Sequence, residues 1–354
     1  MADGTGDNRP GDHDVIADPS WFAEGFDPRS GEFLFVKTNR EQLAAQAFLD
    51  WRWDRASAPR LRLARTALPA LRMGHPPPRL IWHTGFCCST LIAKSLDRPG
   101  VNLSLCEPQL LVDVAEAQRI ERAPQRADSD ITHAAFALLS RPQSAGERVT
   151  IKSSPAANRL LRTAGSTGPS LFLYSDCRSF LISIVKMGED GRKYARRLFL
   201  ALLADGHAQA QWPAPQLLSL SDLELAALVW HMQIAEFRRA WPTFAPDRAA
   251  SLDCDALLAE PEECLHRLDS FFSLGIGGDH LKQVVAGPLF RRNAKTGEDA
   301  FDADRRSIAH ERIAQGLGNN LARIVAQSYE ICRTTPRNTP LPAPLLSLDK
   351  NYCP

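Results

Sequence analysis

The chain has 354 residues, enough for one large domain or two ordinary ones, and carries 42 Lys plus Arg against 41 Asp plus Glu. A formal net charge of +1 leaves no electrostatic footprint for nucleic acid or for a cationic membrane surface, so any basic patch must be local. No apolar run reaches the ~18 residues that a membrane span needs, and the acidic, Gly-rich start lacks the apolar segment of a secretory leader, so a cytoplasmic location is the default expectation. The eight cysteines lack CxxC spacing, which argues against a zinc site and a secreted disulfide scaffold.

Residues 1–18 read as a disordered tail with little to bury, and residues 19–75 as an extension packed on the core. Within it, EFLFVK (32–37) is a strand, 40–53 a helix, and 57–73 an Arg-rich helical or irregular stretch. HPPP (75–78) cannot be helical. It leads into RLIWHT, a continuous apolar run of the kind that forms a parallel strand covered on both faces. A helix starts at Ser89 and stops before Pro99-Gly100. VNLSL (101–105), RVTIK (148–152), SLFLYS (170–175) and part of AASLDCDAL (249–257) supply further strands. Helical patterns cover 110–122, 131–140, 179–186, 191–204, 221–241, 261–275 and 310–332. The fifth opens on a capping box of Ser221 and Glu224. Gly316 and Gly318 weaken the last. Residues 211–215 read as a linker, 288–306 as a polar loop, and 336–354 as a Pro-rich tail.

Strands separated by helices make βαβ units, so residues 76–335 are expected to form an α/β domain: three layers, a mainly parallel central sheet and helices on both faces. The chemistry should sit at the first turn, HTGFCCST. Backbone N–H groups and a helix N-terminus make an anion site there, with Gly85 allowing close approach and Ser89 and Thr90 adding hydroxyls. The turn lacks the Lys of GxxxxGK[ST], which argues against simple ATP or GTP hydrolysis. The cluster Arg192, Lys193, Arg196 and Arg197 reads as a solvated helix face. SxxK at Ser183–Lys186 and KTG at 295–297 match a pair used by acyl enzymes, but KTG runs into GEDAFDADRR rather than along an apolar strand.

HTGFCCSTLIAKSLD, then CEP (106–108), VTIK (149–152), LFLYSDCRSFLISIVK (171–186) and SLDCDALLAEPEECLHRLDSFFSLG (251–275) resemble, in order and spacing, the sulfotransferase family of P-loop proteins. The resemblance implies a P-loop-like fold whose first turn, Gly85, Phe86, Cys87, Cys88, Ser89 and Thr90, cradles the 5′-phosphosulfate of PAPS. It implies a 3′-phosphate site after a later strand, formed by an Arg and a Ser eight residues on. Ser183 matches that Ser, while the Arg position holds Ser175 and Arg178 lies three places later. Phe86 stands where the family has Lys or Arg, and Cys88 where it has Gly. Each missing cationic contact is worth about 1.5–3 kcal/mol, so Arg178, Lys186, Lys295 or the Arg192–Arg197 cluster must compensate. Lys295 occupies a loop that closes over the nucleotide in the family.

On this reading Glu107 is the base for the acceptor, Lys152 stabilises the departing bridge oxygen, and His83 is an alternative base. Cys87 and Cys88 are small filler in the turn, although a helix N-terminus can lower a thiol pKa. The expected activity is sulfuryl transfer from PAPS to a hydroxyl or amine of a small molecule or biosynthetic intermediate, without metal, nucleic acid or membrane. Residues 123–130 and 288–303 are expected to set acceptor specificity. Two alternatives stay open: a catalytically inactive binding or scaffold protein on this fold, and a phosphoryl-transfer enzyme using the same cradle.

Overall fold

The computed structural model describes residues 10–68, 75–121, 125–164, 167–206, 219–297, 303–332 and 341–346. The expected linker at 211–215, residues 1–9 of the expected tail, and most of 336–354 lie outside the described residues.

Near the start, Asp12–Ala17 is a helix (α1), where the sequence reads as disordered. The reason lies far along the chain. The buried Arg141 guanidinium donates to the carbonyls of Val15 (3.1 Å), Ile16 (2.8 Å) and Trp21 (2.5 Å), collecting acceptors that the helix end would leave orphaned. Trp21–Asp27 (β1), Glu32–Lys37 (β2) and Arg60–Ala64 (β3) then form an antiparallel sheet. β3 replaces the helical or irregular stretch expected there: Arg60 and Arg62 point outward while Leu63 is buried, a half-buried edge strand whose arginines disguise its period of two. The helix expected over 40–53 ends early, as Arg40–Ala45 (α2). Its remainder is diverted to pair with the main sheet, Leu49 N–H bonding the Cys106 carbonyl at 2.7 Å and Gln109 N–H returning to the Leu49 carbonyl at 2.9 Å.

The five apolar runs form one parallel sheet. Arg79–His83 (β4), Asn102–Cys106 (β5), Arg148–Lys152 (β6), Ser170–Tyr174 (β7) and Ala249–Asp253 (β8) lie in the order β5-β6-β4-β7-β8. Alternate residues serve two cores, which is why most positions of these strands are buried on both faces. Leu80 and Trp82 face one core with Phe136, Phe172 and Phe237. Ile81 faces the other with Leu91, Leu252, Leu265 and Phe272. Helices Ser89–Ser95 (α3), Gln109–Glu121 (α4), Gln125–Leu139 (α5) and Leu161–Ala164 (α6) accompany the first crossovers. Cys177–Lys186 (α7), Gly188–Ala204 (α8) and Asp222–Ala240 (α9) follow β7, and the capping box at Ser221 and Glu224 forms as expected. Beyond β8 come Cys254–Ala259 (α10), Pro261–Phe272 (α11), Gly278–Ala286 (α12), Ala303–Leu317 (α13) and Asn319–Ile331 (α14). Gly318, at φ +51°, divides the last expected helix in two. The fold class is therefore α/β, with a mainly parallel five-stranded sheet and helices on both faces.

Strands β5 and β6 lie on one side of β4 and β7 and β8 on the other, so the chain builds the sheet on one side of β4 first and crosses to the other after β6. That reversal opens a crevice at the carboxyl ends of the strands. No helix among the described residues is long and apolar enough to cross a membrane.

Candidate functional site

His83, Glu107 and Lys152 arrive at that crevice because each ends, or directly follows, a parallel strand. Lys152 is the last residue of β6 and its side chain is fully buried. An ammonium so placed needs an anion. Glu107 supplies it, accepting a hydrogen bond from Nζ on Oε1. Glu107 follows β5 in a left-handed conformation, φ +51°, and its N–H bonds the Lys152 carbonyl at 2.7 Å. Such a backbone state is costly for a non-glycine residue, and here it turns the carboxylate into the crevice.

His83 ends β4. Its Nδ1 accepts the Gly85 N–H at 3.0 Å, and its Nε2 faces Glu107 Oε1 at 3.7 Å. Burial, followed by the positive charges of Lys152 and Lys295, holds its pKa well below the ordinary histidine value. The ring is thus neutral with its proton on Nε2. Nε2 has no hydrogen-bond partner among the described residues, and the carboxylate of Glu107 is the charge nearest to it.

The outer wall comes from the extension. Phe48 is swept into the crevice by the Leu49–Cys106 pairing, and cations surround its ring: Arg52 at 3.4 Å, Lys152 at 5.5 Å and Lys295 at 5.9 Å from the centroid. Arg52 Nη2 stands 3.7 Å from Glu107 Oε2 and 2.5 Å from Asp50 Oδ2. Lys295 also lies 5.4 Å above the Phe86 ring. Enclosure of its ammonium, and next the charge of Lys152, lower its pKa. It lies in a turn and not on a strand, so the acyl-enzyme pattern has no structural counterpart.

The loop between β4 and α3 is held from behind. Asn158 donates to the His83 carbonyl at 3.3 Å and Gln233 to the Thr84 carbonyl at 3.1 Å. Gly85, Phe86 and Cys88 all have positive φ, +86°, +55° and +60°. Among the described residues no carbonyl accepts from the N–H groups of Phe86, Cys87 or Cys88, so these can serve an anion. Gly85 is needed for a reason the sequence does not reveal. A Cβ there would lie 2.6 Å from the Tyr194 hydroxyl, so its bare face is taken by α8 and not by a ligand. Phe86 packs edge-on against Phe180 and Tyr194, at 5.7 and 5.2 Å. Burial pushes the Cys87 thiol up to about 12, the behaviour of inert filler. Ser89 and Thr90 are buried, and Thr90 Oγ1 and Tyr194 Oη have no hydrogen-bond partner among the described residues.

Across β7 the picture differs. Ser175 is fully buried, its carbonyl held by the Trp230 indole N–H at 2.8 Å and its Oγ unpartnered. Ser183 spends its hydroxyl on the Ser179 carbonyl at 3.0 Å, within α7. Arg178 is exposed and lines a cavity of about 450 Å³ with Ala314, Leu321, Val325 and Tyr329, a lining that includes no residue of the loop. Arg178 thus faces α13 and α14 in the first turn of α7, and no residue of the loop shares that cavity. The Arg192–Arg196 cluster is a solvated face, paired with Asp222 and Glu189. Besides Lys295, Arg306 carries a cation near the loop: its Nη1 donates to Asp255 Oδ1 at 2.9 Å, and its buried Nη2 has no partner among the described residues. Asp253 caps α10 by accepting the Asp255 N–H at 2.9 Å, and burial pushes its pKa up to about 7.

Of the sequence-derived residues, the structure gathers His83, Glu107, Lys152, Lys295 and the 85–90 loop, and leaves Arg178 outside. Phe48, Arg52, Tyr194, Asn158, Gln233 and Arg306 went unnoticed; only tertiary pairing reveals them. The loop expected at 123–130 is replaced from Gln125 onward by α5, and 298–302 lie outside the described residues.

No family model matches the chain, and no curated protein matches it. Four chains of known structure do, among them the sulfotransferase domain from the curacin biosynthetic pathway. The two are 14% identical with a TM-score of 0.42, over 71% of this chain and 97% of that domain.

Proposed function

We propose that this chain is an enzyme of sulfuryl transfer, moving the sulfuryl group of PAPS to a hydroxyl or amine. The observation that supports it is the convergence of His83, Glu107 and Lys152 from three adjacent strands, beside a loop with free N–H groups and an overhanging Lys295. PAPS supplies the activated sulfuryl group and, through its phosphates, a polyanionic handle. The buried donors Thr90 Oγ1, Ser175 Oγ and Arg306 Nη2, each without a partner among the described residues, fit such a handle.

Glu107 takes the proton of the acceptor, using the carboxylate edge that faces Arg52 while Lys152 holds the other. The hydrogen bond from Lys152 keeps that carboxylate oriented, with neutral His83 beside it. Lys152 and Lys295 place positive charge where the departing oxygen gains negative charge. Lys295 substitutes for the cation that Phe86 displaces from the loop, and Phe48 and Phe86 exclude water.

Titration calorimetry with adenosine 3′,5′-bisphosphate tests the reading. Heat of binding and a raised melting temperature are expected, with Lys295→Met weakening affinity roughly 10-fold or more. No heat and no thermal shift at millimolar ligand would overturn it and leave a binding or scaffold role for the fold.

A further inference from the structure

Two thiols meet at the edge of the loop. Cys88, half-buried, stands at the N-cap of α3, and Cys254, buried, opens α10 directly after β8. Strand β7 lies between β4 and β8, so the cysteines reach each other across its carboxyl end. Their sulfurs are 3.2 Å apart, with the Cys254 S–H donating to Cys88. The neighbouring thiols are engaged elsewhere: Cys87 with the Leu173 carbonyl at 3.6 Å and Cys264 with the Ala256 carbonyl at 3.6 Å. Arg306 is oriented toward the pair by Asp255, and its second nitrogen has no partner among the described residues.

We propose that Cys88 and Cys254 form an oxidisable pair, converted by a hydroperoxide into a disulfide that straps the β4–α3 loop to the start of α10. The roles follow from the surroundings. The Cys254 hydrogen bond, and after it the charge of Arg306 and Lys295, lower the pKa of Cys88, against burial and Asp255. Cys254 is pushed the other way by Cys88 and by burial. Cys88 therefore attacks first. Its sulfur bonds the terminal peroxide oxygen, the O–O bond breaks, and the leaving oxygen departs as water or alcohol with the Cys88 proton. Cys254 then attacks the Cys88 sulfenic acid; the S–S bond forms, the S–O bond breaks, and water leaves with the Cys254 proton. Two thiols are oxidised and one hydroperoxide is reduced. Closing from 3.2 Å to the ~2 Å of a disulfide asks for a shift of about 1 Å. The strap would cross the mouth of the crevice, above Ser175.

The pair needs no ligand, so its test is separate from that of sulfuryl transfer. Full-length protein is treated with hydrogen peroxide, digested without reduction and mapped by mass spectrometry. The expected result is one cross-linked peptide pair joining Cys88 to Cys254, with two thiols lost of the eight and recovered by dithiothreitol. In Cys254→Ser, Cys88 should accumulate as a sulfenic acid that dimedone labels. Both thiols remaining free while other cysteines oxidise, or Cys88 linked to a different cysteine, would overturn the proposal. Should Cys254→Ser fail to fold, the wild-type map decides alone. A native protein that forms this disulfide but binds no adenosine bisphosphate would sink the sulfuryl-transfer reading and leave the thiol pair standing.

Discussion

The two flanks of β4 solve opposite problems. Toward β5 and β6, charge is paired: Lys152 with Glu107, Glu107 with Arg52, and His83 turned toward the same carboxylate. Toward β7 and β8, Ser175 Oγ and Arg306 Nη2 have no partner among the described residues and two thiols share one hydrogen bond, while on the first flank His83 Nε2 and Glu147 Oε2 also lack one. A buried ion pair gains little stability for its desolvation cost and persists where its charges have work to do. An orphaned buried polar atom costs about 1–3 kcal/mol and persists where something outside the chain completes it. One flank thus carries a compensated cluster of charges, and the other a thiol pair beside a guanidinium nitrogen with no partner among the described residues.

The contrast can be broken most severely at Lys152. Lys152→Met leaves Glu107 without its buried partner and should cost about 3–5 kcal/mol in urea unfolding, with Glu107→Gln in the same chain recovering part. A loss below ~1 kcal/mol would mean that pairing does not hold that flank together.

Asp253 probes the opposite flank by pH. Its folded pKa is raised from 3.8 to about 7, so the folded state binds the extra proton, and the stability this carboxyl contributes is present below 3.8 and lost as pH rises through 7. His231, pushed down from 6.5 to about 4 by burial, has the opposite sign and loses stability as pH falls through that window. Subtracting profiles isolates the carboxyl: Asp253→Asn should gain on the native chain from pH 4 upward, by about 2–4 kcal/mol at pH 8.

Between the flanks, Tyr194→Phe removes an unpartnered buried hydroxyl and should raise stability by about 1 kcal/mol. Gly85→Ala should cost about 1–3 kcal/mol, from φ +86° and the hydroxyl in its way. Adding Tyr194→Phe should relieve only the second part. The smallest effect belongs to Arg178→Ala: adenosine bisphosphate affinity unchanged within about twofold, since its side chain lines a cavity that no residue of the loop shares. A larger change would return Arg178 to the ligand.

Much of the sheet was legible. The apolar cores of β4 and β7 and the alternation of β6 mark them as strands, and Glu107 and Lys152 stand out because they end or follow strands. β3 was hidden by its outward arginines, and α1 by an anchor more than a hundred residues away. Phe48, Tyr194 and Arg306 were beyond reach, since their place is fixed by packing between distant segments. Arg178 follows β7 closely in sequence, yet its side chain lines a cavity that no residue of the loop shares.

The pairing of Leu49 with Cys106 and Gln109 also bears on synthesis. The ribosome releases the Phe48 segment well before the strand it clasps. Until Cys106 and Gln109 emerge, Phe48 and Arg52 have nothing to close, so this wall of the crevice waits for β5 and the start of α4. A chain cut after the first sheet would carry half a clasp, and one begun at β4 the other half. Supplied together, the two pieces offer a complementation assay in which the reappearance of ligand binding reports the docking of Phe48.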